Sequence, residues 1–179
     1  MKASKTKQVA LSGLLFALAI VLSIVESMVA PLLGLPPFVK IGLANIVVMY
    51  ALFFMGLRQA LFLAILKALF VLLTRGVVAG WLSLCGGLTS LLVMWLLHRL
   101  FKKKVTYFIL SVCGALGHNV GQLVAASFVL GDVLAMAYAP ILLIFGLVMG
   151  FVTSSGLTAL LGRLKHAGLG DFNTEQEEN

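Results

Sequence analysis

Residues Ser111 to Ser127 read SVCGALGHNVGQLVAAS, a hydrophobic stretch with three polar side chains, His118, Asn119 and Gln122, in its middle. At helical spacing its small and polar residues share one face: Gly114, Gly117, His118, Gly121, Gln122 and Ala125. Gly117 and Gly121 form a GxxxG pair, which lets a second helix backbone approach closely. Such a face is suited to contact with protein and not with lipid. We therefore interpret it as one wall of a buried cavity.

The composition of the whole chain predicts an all-α integral membrane protein. Of its 179 residues, 61% are hydrophobic and only 11% are charged, and the mean hydropathy is +1.13. A soluble domain of this size needs far more polar surface. The formal net charge of +7 comes from short basic clusters between apolar runs, as in cytoplasmic loops, so no nucleic-acid partner is expected. Cys85 and Cys113 lie within apolar runs and are interpreted as core residues.

Six apolar runs predict six transmembrane helices, because about 20 apolar residues cross the hydrocarbon core of a bilayer. The predicted spans are approximately residues 9–30, 39–55, 59–73, 78–97, 107–130 and 133–161. Pro31 is expected to end the first span, and Pro140 to kink or shorten the last. The predicted domains are a basic cytoplasmic N-terminus (1–8), a transmembrane domain (9–164) and an acidic cytoplasmic tail (165–179).

The distribution of basic residues predicts the orientation of the chain. With six spans and both termini in the cytoplasm, ten Lys and Arg residues lie on the cytoplasmic side and two, Lys40 and Arg75, lie outside. Lys67 falls within the third span. Because positively charged loops remain in the cytoplasm, this bias favours both the number of spans and the cytoplasmic location of the termini.

Polar side chains within the spans indicate a pocket that opens outward. A charge near the bilayer centre costs on the order of 3 kcal/mol by insertion scales, so such residues usually have a partner or a function. We predict that the pocket is lined by His118, Asn119, Gln122, Asn45 and Lys67, with Arg75, Lys40 and Glu26 at its mouth. The basic members of this set are suited to a phosphate, diphosphate or carboxylate group.

Structural explanations remain open for each of these side chains. Lys67 either pairs with Glu26, extends to the interface or contacts a ligand. The polar groups at 118, 119 and 122 either bond neighbouring helices or line the pocket. Lys40 and Arg75, taken singly, are also suited to lipid headgroups.

Catalysis by this chain alone is not expected. Asp132 and Asp171 are its only aspartates, so the aspartate-rich pairs that hold magnesium around a diphosphate are missing. The phosphate-binding pattern GxxxxGK[ST] is also missing, so any ATP-driven step needs a partner. We expect no metal site and no cofactor. Gly13 and Ala17 form a small-residue pair on the first span, which either packs within the chain or receives a partner membrane protein.

Three segments resemble a known bacterial membrane family. They are KIGLANIVVMYALFFMG (40–56), GGLTSLL (86–92) and SVCGALGHNVGQLVAA (111–126), and the GHNxGQ pattern is the most specific. The chain resembles the Gx transporters, a family that also carries the name heptaprenyl diphosphate synthase component I. In layout it is similar to the six-helix substrate-binding S components of energy-coupling-factor (ECF) transporters.

The resemblance implies a function and partners. As an S component, the chain would bind a small polar or anionic vitamin-like compound near the outer face of the bacterial cytoplasmic membrane. It would join a transmembrane coupling protein and ATPase subunits through small residues on the first helix, where Gly13 and Ala17 stand. The other family name implies a noncatalytic subunit that accompanies a prenyl diphosphate synthase catalytic subunit.

Overall fold

The computed structural model of the protein describes residues 5–34, 42–101 and 106–166, and these ranges are helical apart from short connections. The helices are α1 (Lys5–Leu32), α2 (Asn45–Phe54), α3 (Leu57–Arg75), α4 (Val77–Phe101), α5 (Tyr107–Leu130) and α6 (Asp132–His166). The predicted all-α fold and its six helices are therefore confirmed. Lys40 and residues 167–179 of the predicted tail lie outside the described residues.

Five of the six helices, all except α2, are long and apolar enough to cross a membrane. The chain is therefore a multi-pass membrane protein. The second predicted span, 39–55, is wrong as a single spanning helix, because α2 begins only at Asn45 and has 10 residues. That length covers about 15 Å, or half of the hydrocarbon core. Eight of its ten residues are buried, so the apolar run reflects burial inside the protein and not contact with lipid.

The two prolines within apolar runs lie inside their helices, and α1 ends one residue after Pro31. Pro31 lies inside α1, which continues to Leu32. Pro140 lies inside the continuous helix α6. A proline removes one backbone donor, and neighbouring helices in a membrane protein can compensate for that loss. Whether the chain begins and ends on the cytoplasmic side stays a prediction.

Helix α2 occupies the centre of the bundle. It packs against α1, α3, α4 and α6, while the long helices adjoin one another in the order α1, α3, α4, α5, α6. Ala30 of α1 and Leu142 of α6 share a small apolar cluster, which brings the two ends of this series together. The bundle is thus a ring of five long helices around a short one. Gly42 and Ala44, which lie just before α2, are buried within this ring, where non-helical backbone is shielded from lipid.

One residue, Gly76, connects α3 to α4. Its φ of +89° is strained for residues with a side chain, and its N–H donates to the Leu72 carbonyl at 3.1 Å. The two helices then run back along each other so closely that a Cβ atom on Gly80 would lie 2.5 Å from Leu72 Cβ. The link places the end of α3 and the start of α4 at the same end of the bundle.

The glycine face of α5 packs on α4, as its spacing predicted. A Cβ atom on Gly121 would lie 2.6 Å from Thr89 Oγ1 and 2.9 Å from the Cys85 carbonyl oxygen. On α6, a Cβ atom on Gly150 would lie 2.6 Å from the Cα atom of Val112 in α5. Dispersion forces between closely approaching backbones hold membrane helices together where no hydrophobic effect operates. The glycines therefore determine the spacing of α4, α5 and α6.

Aromatic side chains pack together where α2 and α4 end and α5 begins. The rings of Tyr50 and Phe54 stack with centroids 4.9 Å apart. Phe53 contacts His98 at 5.2 Å and Tyr107 at 5.5 Å. We call these five residues the aromatic cluster. It fills this end of the bundle around the last turn of α2.

Replacing Gly121 with Ala tests the close α4–α5 contact. We expect Gly121→Ala to lower the free energy of unfolding by about 1–3 kcal/mol, because the added methyl group overlaps backbone atoms that cannot move aside easily. The measurement is thermal unfolding of the purified protein in one detergent. Gly13→Ala is the matched control, since a Cβ atom there meets nothing within 4 Å. Equal melting of the two variants would contradict the described contact.

Candidate functional site

Five buried polar side chains from four helices converge inside the bundle. They are Glu26 of α1, Asn45 of α2, Lys67 of α3, and His118 and Gln122 of α5, and we call them the polar cluster. Three buried glycines, Gly42, Gly86 and Gly87, lie between them. The structure thus brings together five of the eight side chains that the sequence predicted for the pocket.

The closest contact in the polar cluster joins Lys67 to Asn45. The Lys67 ammonium donates a hydrogen bond of 2.6 Å to the Asn45 side-chain carbonyl, and only 4% and 8% of the two residues, respectively, are exposed. Helices α2 and α3 form an antiparallel hairpin, and each residue lies about ten positions, or 15 Å, from its turn. Asn45 uses one of the three ammonium hydrogens, so two remain for other acceptors.

Glu26 bonds the backbone that leads into α2. Its Oε1 atom accepts a hydrogen bond of 3.1 Å from the Gly42 N–H. Gly42 is buried and has a φ of +95°, a conformation that favours glycine. Glu26 attracts the Lys67 ammonium through space, but each charge forms its hydrogen bond with a different partner. The alternative in which Lys67 extends to the interface is wrong, since Lys67 is buried.

His118 and Gln122 act as a pair on successive turns of α5. The Nε2 atom of His118 lies 2.8 Å from the Nε2 atom of Gln122. In this contact the Gln122 amide nitrogen is placed as the donor and the imidazole Nε2 as the acceptor. The ring and the Gln122 side chain both pack on Gly86 of α4. A Cβ atom there would lie 2.9 Å from His118 Nδ1 and from Gln122 Cγ.

Gly86 and Gly87 are site residues that sequence reasoning missed. Gly86 leaves room for the α5 pair, and a Cβ atom on Gly87 would lie 4.0 Å from Lys67 Nζ. Two adjacent positions of α4 face two different neighbouring helices, here α5 and α3. A glycine pair inside an apolar helix, where each glycine costs about 1 kcal/mol relative to alanine, was the available signal.

Asn119 lies apart from the polar cluster. Its amide nitrogen donates to the Leu142 carbonyl of α6, close to Gly146, where a Cβ atom would lie 2.8 Å from it. Of the two alternatives that the sequence left open for Asn119, the bond to a neighbouring helix is the one present. Arg75 is half-buried in the last turn of α3, about 12 Å beyond Lys67. Lys40 lies outside the described residues.

A cavity of about 10 Å³ adjoins the polar cluster, which is room for about one water molecule. Gly42 and Asn45 belong to its wall, and the remaining wall comes from α2, α4, α5 and α6. Within the described parts of the chain, no three His, Cys, Asp or Glu side chains come together as metal ligands would. The chemistry of the site is therefore hydrogen bonding and charge, supplied by an ammonium, a carboxylate, two amides and an imidazole.

A double-mutant cycle tests the contact between Asn45 and Lys67. We expect Asn45→Leu alone to lower the free energy of unfolding by about 3 kcal/mol, because it leaves a buried ammonium without its acceptor. Adding Lys67→Met should restore part of that loss, since the ammonium that needed the Asn45 oxygen is then absent. Chemical or thermal unfolding of the four proteins in detergent gives the coupling energy. Additive single effects would show that the two side chains do not interact.

Comparison with known proteins gives one match. The family model described as heptaprenyl diphosphate synthase component I matches residues 15–160, which include every member of the polar cluster. No curated protein matches the chain, and no solved structure matches it. The match covers all but the first part of α1 and the last residues of α6. The chain therefore belongs to the heptaprenyl diphosphate synthase component I family.

Proposed function

We propose that the protein is the substrate-binding membrane subunit of an ECF-type transporter and takes up a small polar or anionic vitamin-like compound. The observation that carries this proposal is the polar cluster. Opposite charges on Glu26 and Lys67 lie buried within a membrane bundle, and each bonds a different polar group. Burying charges in a membrane is costly, so buried charged residues usually serve binding or another function. A ligand with polar groups would use the hydrogen-bonding capacity that the cluster retains.

The two ends of the bundle support a pocket that opens on one side only. The aromatic cluster, with Phe53 at its centre, fills the end where α2 stops. The polar cluster lies on the other side of α2, towards the end where α3 meets α4. With the orientation that the basic residues predict, that end faces outward. A solute would then approach Lys67 and Asn45 from outside.

The partners we propose are a transmembrane coupling protein and ATPase subunits. The sequence has no nucleotide-binding motif of its own, so energy must come from another chain. Helix α1 buries one face, which includes Leu15 and Glu26, and exposes the other. Gly13 and Ala17 lie on the exposed face, and a Cβ atom on Gly13 would meet nothing within 4 Å. This surface suits a close helix–helix contact with the coupling protein.

The family description supports a second candidate. As component I of heptaprenyl diphosphate synthase, the chain would be a noncatalytic membrane partner of a prenyl diphosphate synthase catalytic subunit. The polar cluster favours transport over this role, since a subunit that only anchors an enzyme needs no buried ammonium and carboxylate. Lys67 is also the only cation of the polar cluster, whereas a diphosphate carries several negative charges.

Native mass spectrometry of protein purified gently from its own membranes tests both candidates. The transport role predicts a retained small molecule together with a coupling protein and ATPases. Lys67→Met should reduce the amount of that molecule by about tenfold or more, because a charge-assisted hydrogen bond contributes roughly 1.5–3 kcal/mol. Arg58→Met is the matched control, since it removes an exposed cation far from the cluster. A soluble prenyl-transferring enzyme and no small molecule would support the second candidate and reject transport.

Substitutions on the exposed face of α1 test the proposed docking surface. We expect Gly13→Leu with Ala17→Leu to abolish copurification of the coupling protein and ATPases, because the larger side chains keep a second helix at a distance. Binding of the small molecule should be unchanged, since the exposed face does not reach the polar cluster. Val21→Leu, on an exposed position of the same helix, is the control. Unchanged copurification in the double variant would place the docking surface elsewhere.

A further inference from the structure

The cavity beside the polar cluster has an unusual lining. Three methionines from three different helices contribute to its wall: Met49 of α2, Met94 of α4 and Met149 of α6. Asn45, a member of the polar cluster, and Gly42, which contacts the cluster, line the cavity as well. The cavity is therefore continuous with the proposed pocket and extends from it towards the aromatic cluster, since Ser111 in its wall lies one turn from Tyr107.

One hydroxyl group in this wall has no bonding partner among the described residues. Ser90 of α4 is 2% exposed, and its Oγ atom is unbonded there. The other two hydroxyls of the wall are engaged. Thr153 donates to the Met149 carbonyl at 2.8 Å, and Ser111 donates to Met49 Sδ at 3.1 Å. An unbonded buried hydroxyl is unfavourable, so Ser90 is suited to completing its hydrogen bonding with a bound molecule.

A ligand larger than one water molecule requires these methionines to move, because the cavity measures only about 10 Å³. Methionine is unbranched and adapts its shape, and its thioether makes favourable contacts with aromatic rings. Gly114 of α5 leaves room for the Met94 side chain, because a Cβ atom on Gly114 would lie 2.8 Å from Met94 Sδ and 3.3 Å from Ser90 Oγ. We expect displacement of Met94 to enlarge the cavity beside Gly114 and Ser90.

We propose that this cavity is a second subsite of the substrate pocket and binds a flat aromatic or heteroaromatic ring. A polar substituent of the ring bonds to Ser90, and the polar end of the same molecule lies at Lys67 and Asn45. The polar cluster contains one cation and one anion, which suits a neutral or zwitterionic molecule, or one with a single negative charge. This inference rests on the proposed transport function and narrows its substrate to ring compounds.

The test identifies the compounds that denaturation releases from the full-length protein after purification from its native membranes. Mass spectrometry and ultraviolet absorbance determine whether the retained compound contains an aromatic ring. Ser90→Ala should lower the retained amount about fivefold, because it removes a hydrogen bond to the compound. In the ligand-free protein it should raise the unfolding midpoint by about 2 °C, because it removes an unbonded buried hydroxyl. Gly114→Ala should lower retention by filling the space beside Met94. Ser127→Ala, at a half-buried serine that bonds its own helix, and Ser155→Ala, at an exposed serine of α6, are the matched controls.

Each outcome decides between the proposals. An aromatic compound that is lost from the Ser90 and Gly114 variants but kept by the controls supports the second subsite. A retained compound without a ring, such as one with a prenyl chain, overturns the subsite and leaves transport intact. Full retention of an aromatic compound by folded Ser90→Ala protein also overturns the subsite and leaves transport intact. If the wild-type protein retains no compound at all, the transport function and the subsite both fail.

Discussion

The ammonium group of Lys67 is the constraint on which the interior of this protein depends. A charge that cannot reach water must be solvated by other groups, and here an amide oxygen and the field of a carboxylate perform that role. The requirement determines where α2 begins, because Asn45 must stand at the depth of Lys67. It also draws the backbone at Gly42 into the bundle, where Glu26 accepts its N–H. One buried cation thus accounts for a short helix, an inward-folded segment and a buried acid.

Glycines make this polar interior possible within a tightly packed bundle. Gly86 and Gly87 leave space on α4 for His118 on one side and Lys67 on the other. Gly121 brings α5 near enough for its polar side chains to share that space. The glycines of this protein therefore serve two purposes. Some bring backbones together, and others leave room for side chains that a methyl group would displace.

Much of the fold could be predicted from the sequence, and the failures have physical causes. Apolar length identified the spanning helices, and the glycine spacing of α5 identified its packing face. Apolar length failed for α2, because a run buried in protein is as hydrophobic as one in lipid. Buried polar residues were recognisable as a site, since they are costly in a membrane. Their partners were not, so the bond from Asn119 to α6 was only one of two alternatives that the sequence left open. Sequence spacing within one helix does not show which neighbouring helix each side chain meets.

Helix α1 connects the two surfaces on which the transport proposal depends. Its buried face carries Glu26, which holds the Gly42 backbone at the entrance to α2, while its exposed face carries Gly13 and Ala17. A partner that bound the exposed face and moved α1 would therefore move Glu26 as well. The Gly42 hydrogen bond would transmit that displacement to the segment beside Asn45 and His118. Under the proposed function, docking and substrate release would then be linked through a single helix, without any change in the glycine contacts that hold α4, α5 and α6 together.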